Sequence, residues 1–330
     1  MNIKNKNVVV TGAGGFIGSH LTEELVRRGA NVKAFVHYNS RNNWGLLELL
    51  EKDILGEVEV VAGDITDPFF VKTVTKDVDI IFHLAALIGI PYSYIAPESY
   101  VNVNIKGTLN VLQAGLDNDV GRIVHTSTSE TYGTAEYTPI DELHPLKGQS
   151  PYSASKIGAD KIAESYFRSF DLPVATIRPF NTFGPRQSAR AIIPTIIAQA
   201  LVMDEVHVGS LSPVRDLTFV KDTVNGFIEV GTSENSVGEV INIGTGSGVT
   251  IGELLKRILH ILEKDDIRVI EELDRVRPDK SEVMELICDN SKAKHMLDWR
   301  PKYTLDEGLA ETIKWMREHT NLYKTEKYVV

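Results

Sequence analysis

Six short apolar runs punctuate the first 180 residues, at 8–10, 32–36, 58–61, 78–82, 123–125 and 174–177. Each is too short for a helix and most are rich in β-branched residues, so they read as buried strands. Between them, residues 16–28, 99–117 and 152–170 carry apolar positions at three- and four-residue intervals and predict helices, the first stopped by Gly29. Strands alternating with helices predict an α/β chain with a parallel sheet wound on both faces. Right-handed crossovers put every strand C-terminus on one edge, where ligands bind.

Beyond Arg178-Pro179 the rhythm loosens. Residues 191–201 predict a helix, and Thr250 with Glu253 has the capping-box spacing that starts another at Ile251. The expected division is a dinucleotide-binding part over 1–178 and a smaller α/β substrate-binding part over 179–330, with some of 216–245 returning to the first. No low-complexity linker separates them, so they are expected to share a cleft.

Composition narrows the function. A formal net charge of -10 lacks the Lys/Arg excess of a nucleic-acid surface. Cys288 is the lone cysteine, so no intrachain disulfide forms, and the expected location is cytoplasmic. The N-terminus runs into the first strand with no signal-peptide pattern, and no apolar run approaches the ~18 residues of a membrane span. The nine histidines are scattered, so no metal is expected.

The first strand opens into Thr11-Gly12-Ala13-Gly14-Gly15-Phe16-Ile17-Gly18. Glycines at 12, 15 and 18 let the backbone approach a pyrophosphate at a helix N-terminus, the start of a Rossmann-type dinucleotide site. The second strand ends in His37-Tyr38-Asn39-Ser40-Arg41, without the acidic residue that favours NAD. NAD is the expectation, with NADP open. Asp64 and Ile65 follow the third strand, and Asp64 is a candidate for the adenine amino group or simply a turn residue.

Tyr152 and Lys156 lie four apart at a predicted helix start, on one face. A nearby ammonium lowers a phenol's pKa, which suits a general base for a hydroxyl. The fifth strand runs out into Thr128-Ser129-Glu130-Thr131-Tyr132-Gly133, bringing hydroxyls and a carboxylate to the binding edge.

These segments, with His83-Leu84-Ala85-Ala86 and Arg178-Pro179-Phe180-Asn181, resemble the extended short-chain dehydrogenases that act on nucleotide sugars, over essentially the whole chain. The resemblance implies a cofactor site including Leu84, Ala85 and Ala86, and a catalytic group of Thr128, Ser129, Glu130, Tyr152 and Lys156. Tyr152 would take the sugar 4-hydroxyl proton, Thr128 would bond the same oxygen, and the cofactor would stay bound and be recycled. Glu130 resembles the C5 base of 4,6-dehydratases, whereas 4-epimerases typically have no acid there. The Ser-Glu pair is shared with mannose-type dehydratases and uronate decarboxylases, while thymidine-linked glucose dehydratases usually have Asp-Glu. Residues 87–105 contain no Lys or Arg to hold a sugar carboxylate, which disfavours the decarboxylase.

Asn181, Arg186, Arg190, Arg215 and Arg277 are the candidates for the substrate diphosphate, since guanidinium forks donate two bonds to one phosphate. The pattern looks most similar to dehydratases of the legionaminic-acid pathway, which act on GDP-N-acetylglucosamine. A catalytically silent dinucleotide sensor is the non-enzyme alternative. The family resemblance also implies a homodimer through the helices at 99–117 and 152–170, with Val111, Leu112, Ile162 and Tyr166 as apolar residues beyond one core stripe.

Overall fold

The six apolar runs become six parallel strands: β1 (Asn7–Thr11), β2 (Asn31–His37), β3 (Val58–Gly63), β4 (Ile80–His83), β5 (Arg122–Thr126) and β6 (Val174–Pro179). The computed structural model describes residues 1–272 and 283–323. The sheet order is β3-β2-β1-β4-β5-β6, and a seventh strand, Val240–Ile243, pairs in parallel with β6. β4 and β6 are buried along their whole length, as expected of a sheet covered on both faces. The strand order reverses between β1 and β4, and that switch point opens a crevice at their C-terminal ends.

Local chemistry sets the helix ends. Phe16–Arg27 stops before Gly29, whose φ of +80° suits a residue without a side chain. Pro151–Phe170 starts at a reciprocal cap: Ser153 N donates to Ser150 Oγ, and Ser150 N donates to Ser153 Oγ.

The region 99–117 departs from the single α-helix its sequence predicts. A helical turn, Pro97–Tyr100, leads into a π-helical stretch, Val101–Lys106, before Gly107–Asp117 completes the α-helix. Asn104, in the π stretch, is buried and bonds Leu87 N, Leu87 O and Ser155 Oγ. Those bonds are the local compensation for the wider turn. Val111 and Leu112 are fully buried in this chain's own core, with Tyr166 beside them. The apolar surface these two helices leave is instead Val101, Leu109 and Phe170.

In the second half, the expected helices are Ile192–Val202 and Ile251–Ile261, the latter with the Thr250–Glu253 capping box. Val214–Phe219 pairs in parallel with Asn181–Phe183 and Glu285–Leu286 and antiparallel with Gly248–Thr250. The Val220–Thr232 helix packs on Phe16–Arg27 and leads to the seventh strand. Buried Arg122, at the start of β5, clasps this return by donating to Ser233 O and Ser236 Oγ. Among the described residues, no helix is long and apolar enough to cross a membrane, and no cluster of three or more His, Cys, Asp or Glu is arranged to hold a metal.

Candidate active site

At the switch point Thr11 binds the exits of β1 and β4 together. Its hydroxyl accepts from Leu84 N and Ala85 N and shares a hydrogen bond with His83 Nδ1. The glycine-rich turn lies against this junction. Gly12 has a φ of +72°, and a Cβ there would come within 2.8 Å of Ala85 N. A Cβ on Gly18 would fall on the Gly12 carbonyl group. Gly15 differs: its φ is an ordinary -83°, and a Cβ would meet only the Gly12 carbonyl oxygen, at 3.1 Å.

Gly15 caps the helix without a side-chain bond, and the first turn has no acidic residue. The N–H groups of Phe16 and Ile17 therefore point at a space suited to an anion. A dinucleotide pyrophosphate fits this cradle. At the far end His37 is exposed, and the following loop is organised by Asn39, whose Oδ1 accepts from Arg41 N and Asn43 N. Asp64 spends Oδ1 on Thr66 N and Thr66 Oγ1, which lowers its pKa. Ile65 is buried, with its carbonyl held by Asn110.

The end of β5 and the start of the Pro151–Phe170 helix meet across the crevice. Thr128 caps the short helix Ser129–Tyr132, its hydroxyl accepting from Glu130 N at 3.3 Å. Ser129 is buried and Glu130 half-buried. Burial pushes the Tyr152 phenol well above its ordinary value; a hydrogen bond with Thr128 pulls it down and the Glu130 charge pushes it further up. Tyr100 and Tyr152 pack edge to face, with centroids 6.2 Å apart.

Lys156 corrects one expectation. Its ammonium donates to Thr126 O at 2.6 Å instead of serving the phenol directly, because that carbonyl is an acceptor at hand in a buried site. Burial pulls its pKa down to about 8, opposed by the Asp160 carboxylate.

The sequence reading missed a buried polar cluster beneath these residues. Asp160 accepts from Ser127 Oγ at 2.6 Å and Arg178 Nη2 at 2.8 Å, and pairs with His125 Nε2 at 2.9 Å. Arg178 also donates to Ser127 Oγ and the Tyr132 hydroxyl, and Tyr132 donates to Asn242 on the seventh strand. The continuing four-residue interval Tyr152, Lys156, Asp160 was the available clue.

The substrate-side candidates separate. Asn181 has a buried Oδ1 with no protein partner, and Arg215 lies buried on the Val214–Phe219 strand. Arg186 instead donates to Glu23 Oε2 at 2.6 Å, on the helix after the glycine turn. Arg190 is exposed, and its charge acts on Tyr100. Arg190 lies outside 87–105, and Tyr100, on which its charge acts, packs against Tyr152. Arg277 lies outside the described residues.

Residues 9–312 match the family model described as GDP-mannose 4,6 dehydratase. The low-salt glycan biosynthesis protein Agl12 of Haloferax volcanii is 33% identical, covering 94% of this chain and 98% of its own. A dTDP-glucose 4,6-dehydratase of Streptomyces antibioticus is 34% identical, over 95% and 93%. A UDP-glucose 4-epimerase of Mycolicibacterium smegmatis is 31% identical, over 94% and 98%. The structure of a double mutant of DesIV, a dTDP-glucose 4,6-dehydratase of Streptomyces venezuelae with NAD and DAU bound, superposes with a TM-score of 0.87 at 30% identity, over 96% and 98%. With its glycine cradle, its Tyr152–Lys156 helix and a family match over most of its length, the chain belongs to the GDP-mannose 4,6 dehydratase family and is an enzyme of the nucleotide-sugar dehydratase and epimerase group.

Proposed function

We propose that this enzyme is a nucleotide-sugar 4,6-dehydratase, converting a hexose to its 4-keto-6-deoxy form. The observation carrying the reading is Glu130 beside Thr128 and Tyr152, its charge acting directly on the phenol. Held at the glycine-rich turn, a bound NAD would supply hydride transfer between C4 and C6, so that the net change is loss of water. Tyr152 accepts the proton of the 4-hydroxyl, and Thr128 holds that oxygen. The resulting ketone acidifies C5, and Glu130 takes the C5 proton. The same carboxyl then gives its proton to the departing C6 hydroxyl, which leaves as water; hydride return at C6 is matched by a proton returning to C5, balanced by the one Tyr152 took from the 4-hydroxyl. Asn181, Arg190 and Arg215 hold the diphosphate and sugar, joined by Arg277.

The finer assignment, which rests on the resemblance of this chain's motifs alone, is a GDP-linked N-acetylglucosamine in the legionaminic-acid pathway, with NAD over NADP, in a cytoplasmic homodimer. Arg190 favours a second reading, a UDP-uronate decarboxylase, because its charge near Tyr100 suits a sugar carboxylate. NMR of the products from GDP- and UDP-N-acetylglucosamine and UDP-glucuronate separates dehydration, epimerisation and carbon dioxide release. Glu130→Gln is the sharper test: C4 oxidation continues and reduced cofactor accumulates in near-ultraviolet absorbance, while the 4-keto-6-deoxy product falls by about 10²–10⁴-fold. Product formation at the wild-type rate removes Glu130 from the mechanism.

A further inference from the structure

Lys156 and Asp160 stand one turn apart on the inner face of the Pro151–Phe170 helix, and both are buried. They grip three consecutive residues at the end of β5. Asp160 pairs with His125 and accepts from Ser127, while Lys156 donates to the Thr126 carbonyl between them. The next residue is Thr128, and Glu130 follows in the short helix that Thr128 caps. The same carboxylate therefore helps fix the strand end that presents the reacting groups.

The charges around Lys156 come from every neighbouring element. Its own helix contributes Tyr152 and Asp160, β5 contributes His125, β4 His83 and β6 Arg178. Glu130 and Tyr100 face Tyr152 from above. Burial lowers the pKa of both histidines and keeps them neutral, so the enclosed charges at neutral pH are two cations, Lys156 and Arg178, and one anion, Asp160. Arg178 is hydrogen-bonded to Asp160, whereas Lys156 has a backbone carbonyl as its direct partner and depends on Asp160 through space.

We propose that Asp160 is a positioning residue of the reaction: its carboxylate keeps Lys156 cationic beneath Tyr152 while bracing the strand end that carries Thr128 and Glu130. The inference rests on the proposed roles of Tyr152 and Lys156. It predicts a coupled electrostatic effect. Removing the anion favours the deprotonated form of both neighbours, so Lys156 loses its proton at lower pH and Tyr152 gives up its own more readily. The alkaline limb of kcat that Lys156 sets then moves toward lower pH. A purely structural defect lowers the profile without displacing it.

The test is Asp160→Asn beside Asp160→Glu, read by the pH titration of the Lys156 ε-methylene in protein carrying 13C-labelled lysine, with Lys156→Arg assigning the resonance. This readout requires no turnover, so it stands or falls independently of the dehydratase reading. With burial pulling its pKa down to about 8, Lys156 is expected to titrate there in the wild type. Asp160→Asn moves this down by about 1–3 pH units, the usual effect of a nearby opposite charge. The kcat profile follows it, and Asp160→Glu restores both. Because Asp160→Asn strands the buried Arg178, the Asp160→Asn/Arg178→Met double variant removes the pair together. It too lowers the Lys156 titration, since Asp160 is the charge acting on that ammonium. A Lys156 titration unchanged in either variant, or activity lost with the alkaline limb in place, overturns the proposal.

Discussion

Gly15 and Gly18 belong to one turn, yet their replacement by alanine has different consequences. At Gly18 the new methyl falls on the Gly12 carbonyl, 2.9 Å from its carbon and 3.0 Å from Ala13 Cα. All of these are backbone atoms, so no side chain can swing aside. Overpacking of this kind costs about 1–3 kcal/mol, which at about 2 °C per kcal/mol for a chain this large lowers Tm by roughly 2–6 °C without ligand. At Gly15 the φ suits alanine and the methyl has a single neighbour at 3.1 Å. Gly15→Ala needs the Gly12 carbonyl to give by only a few tenths of an ångström and is therefore expected to lower Tm by less than Gly18→Ala does. If this turn holds NAD as proposed, the methyl group intrudes on the pyrophosphate cradle, and NAD affinity is expected to fall about tenfold for each 1.4 kcal/mol of lost contact. Differential scanning fluorimetry of the ligand-free variants and calorimetric titration with NAD separate the effects. Gly15→Ala with unaltered NAD affinity, or Gly18→Ala with unaltered Tm, refutes the account of this turn.

Two further expectations concern surfaces away from the crevice. His207 pairs with Glu272 and Glu205, and these carboxylates raise its pKa above the ordinary 6.5. A raised folded value means that its stabilisation is fully present below 6.5 and fades as pH rises through the folded pKa. His207→Gln should remove this fading from the Tm measured between pH 6 and 9; an unchanged pH dependence contradicts the assignment. Val101, Leu109 and Phe170 are exposed on the helices expected to form the homodimer. Leu109→Glu should halve the mass seen by light scattering at micromolar concentration, and a wild-type monomer there removes the dimer proposal.

Periodicity located the strands because burial on both faces leaves nearly uninterrupted apolar runs, and the glycine turn was legible because its spacing reflects backbone contacts. Tyr152 and Lys156 were readable for a similar local reason. The Asp160–Arg178–His125 cluster was not, since it joins residues from three elements and their polarity, read locally, marks an exposed surface. Only the interval continuing from Lys156 to Asp160 hinted at it. Arg186 shows a different limit: its motif gave no sign that Glu23, 163 positions away, takes its Nη2, leaving Nε and Nη1 buried without a hydrogen-bond partner among the described residues. The π-helical stretch escaped because its apolar spacing differs from an α-helix by a single residue, while its evidence lies in the Asn104 bonds to Leu87 and Ser155.

The strand at Val240–Ile243 also bears on how this chain is completed during synthesis. Until residue 243 has emerged, β6 has one neighbour, β5, and its other side presents unpaired N–H and C=O groups. Buried Arg122 meanwhile lacks Ser233 and Ser236, and Tyr132 lacks the Asn242 acceptor. A nascent chain stalled near Pro179 would thus hold a nearly finished dinucleotide cradle beside an adhesive sheet edge, the condition that favours aggregation. At about 5–20 residues per second, the intervening 60 or so residues keep that edge open for roughly 3–12 seconds. This window makes the stretch from 180 to 243 the part of the message where slow decoding should reduce soluble yield most.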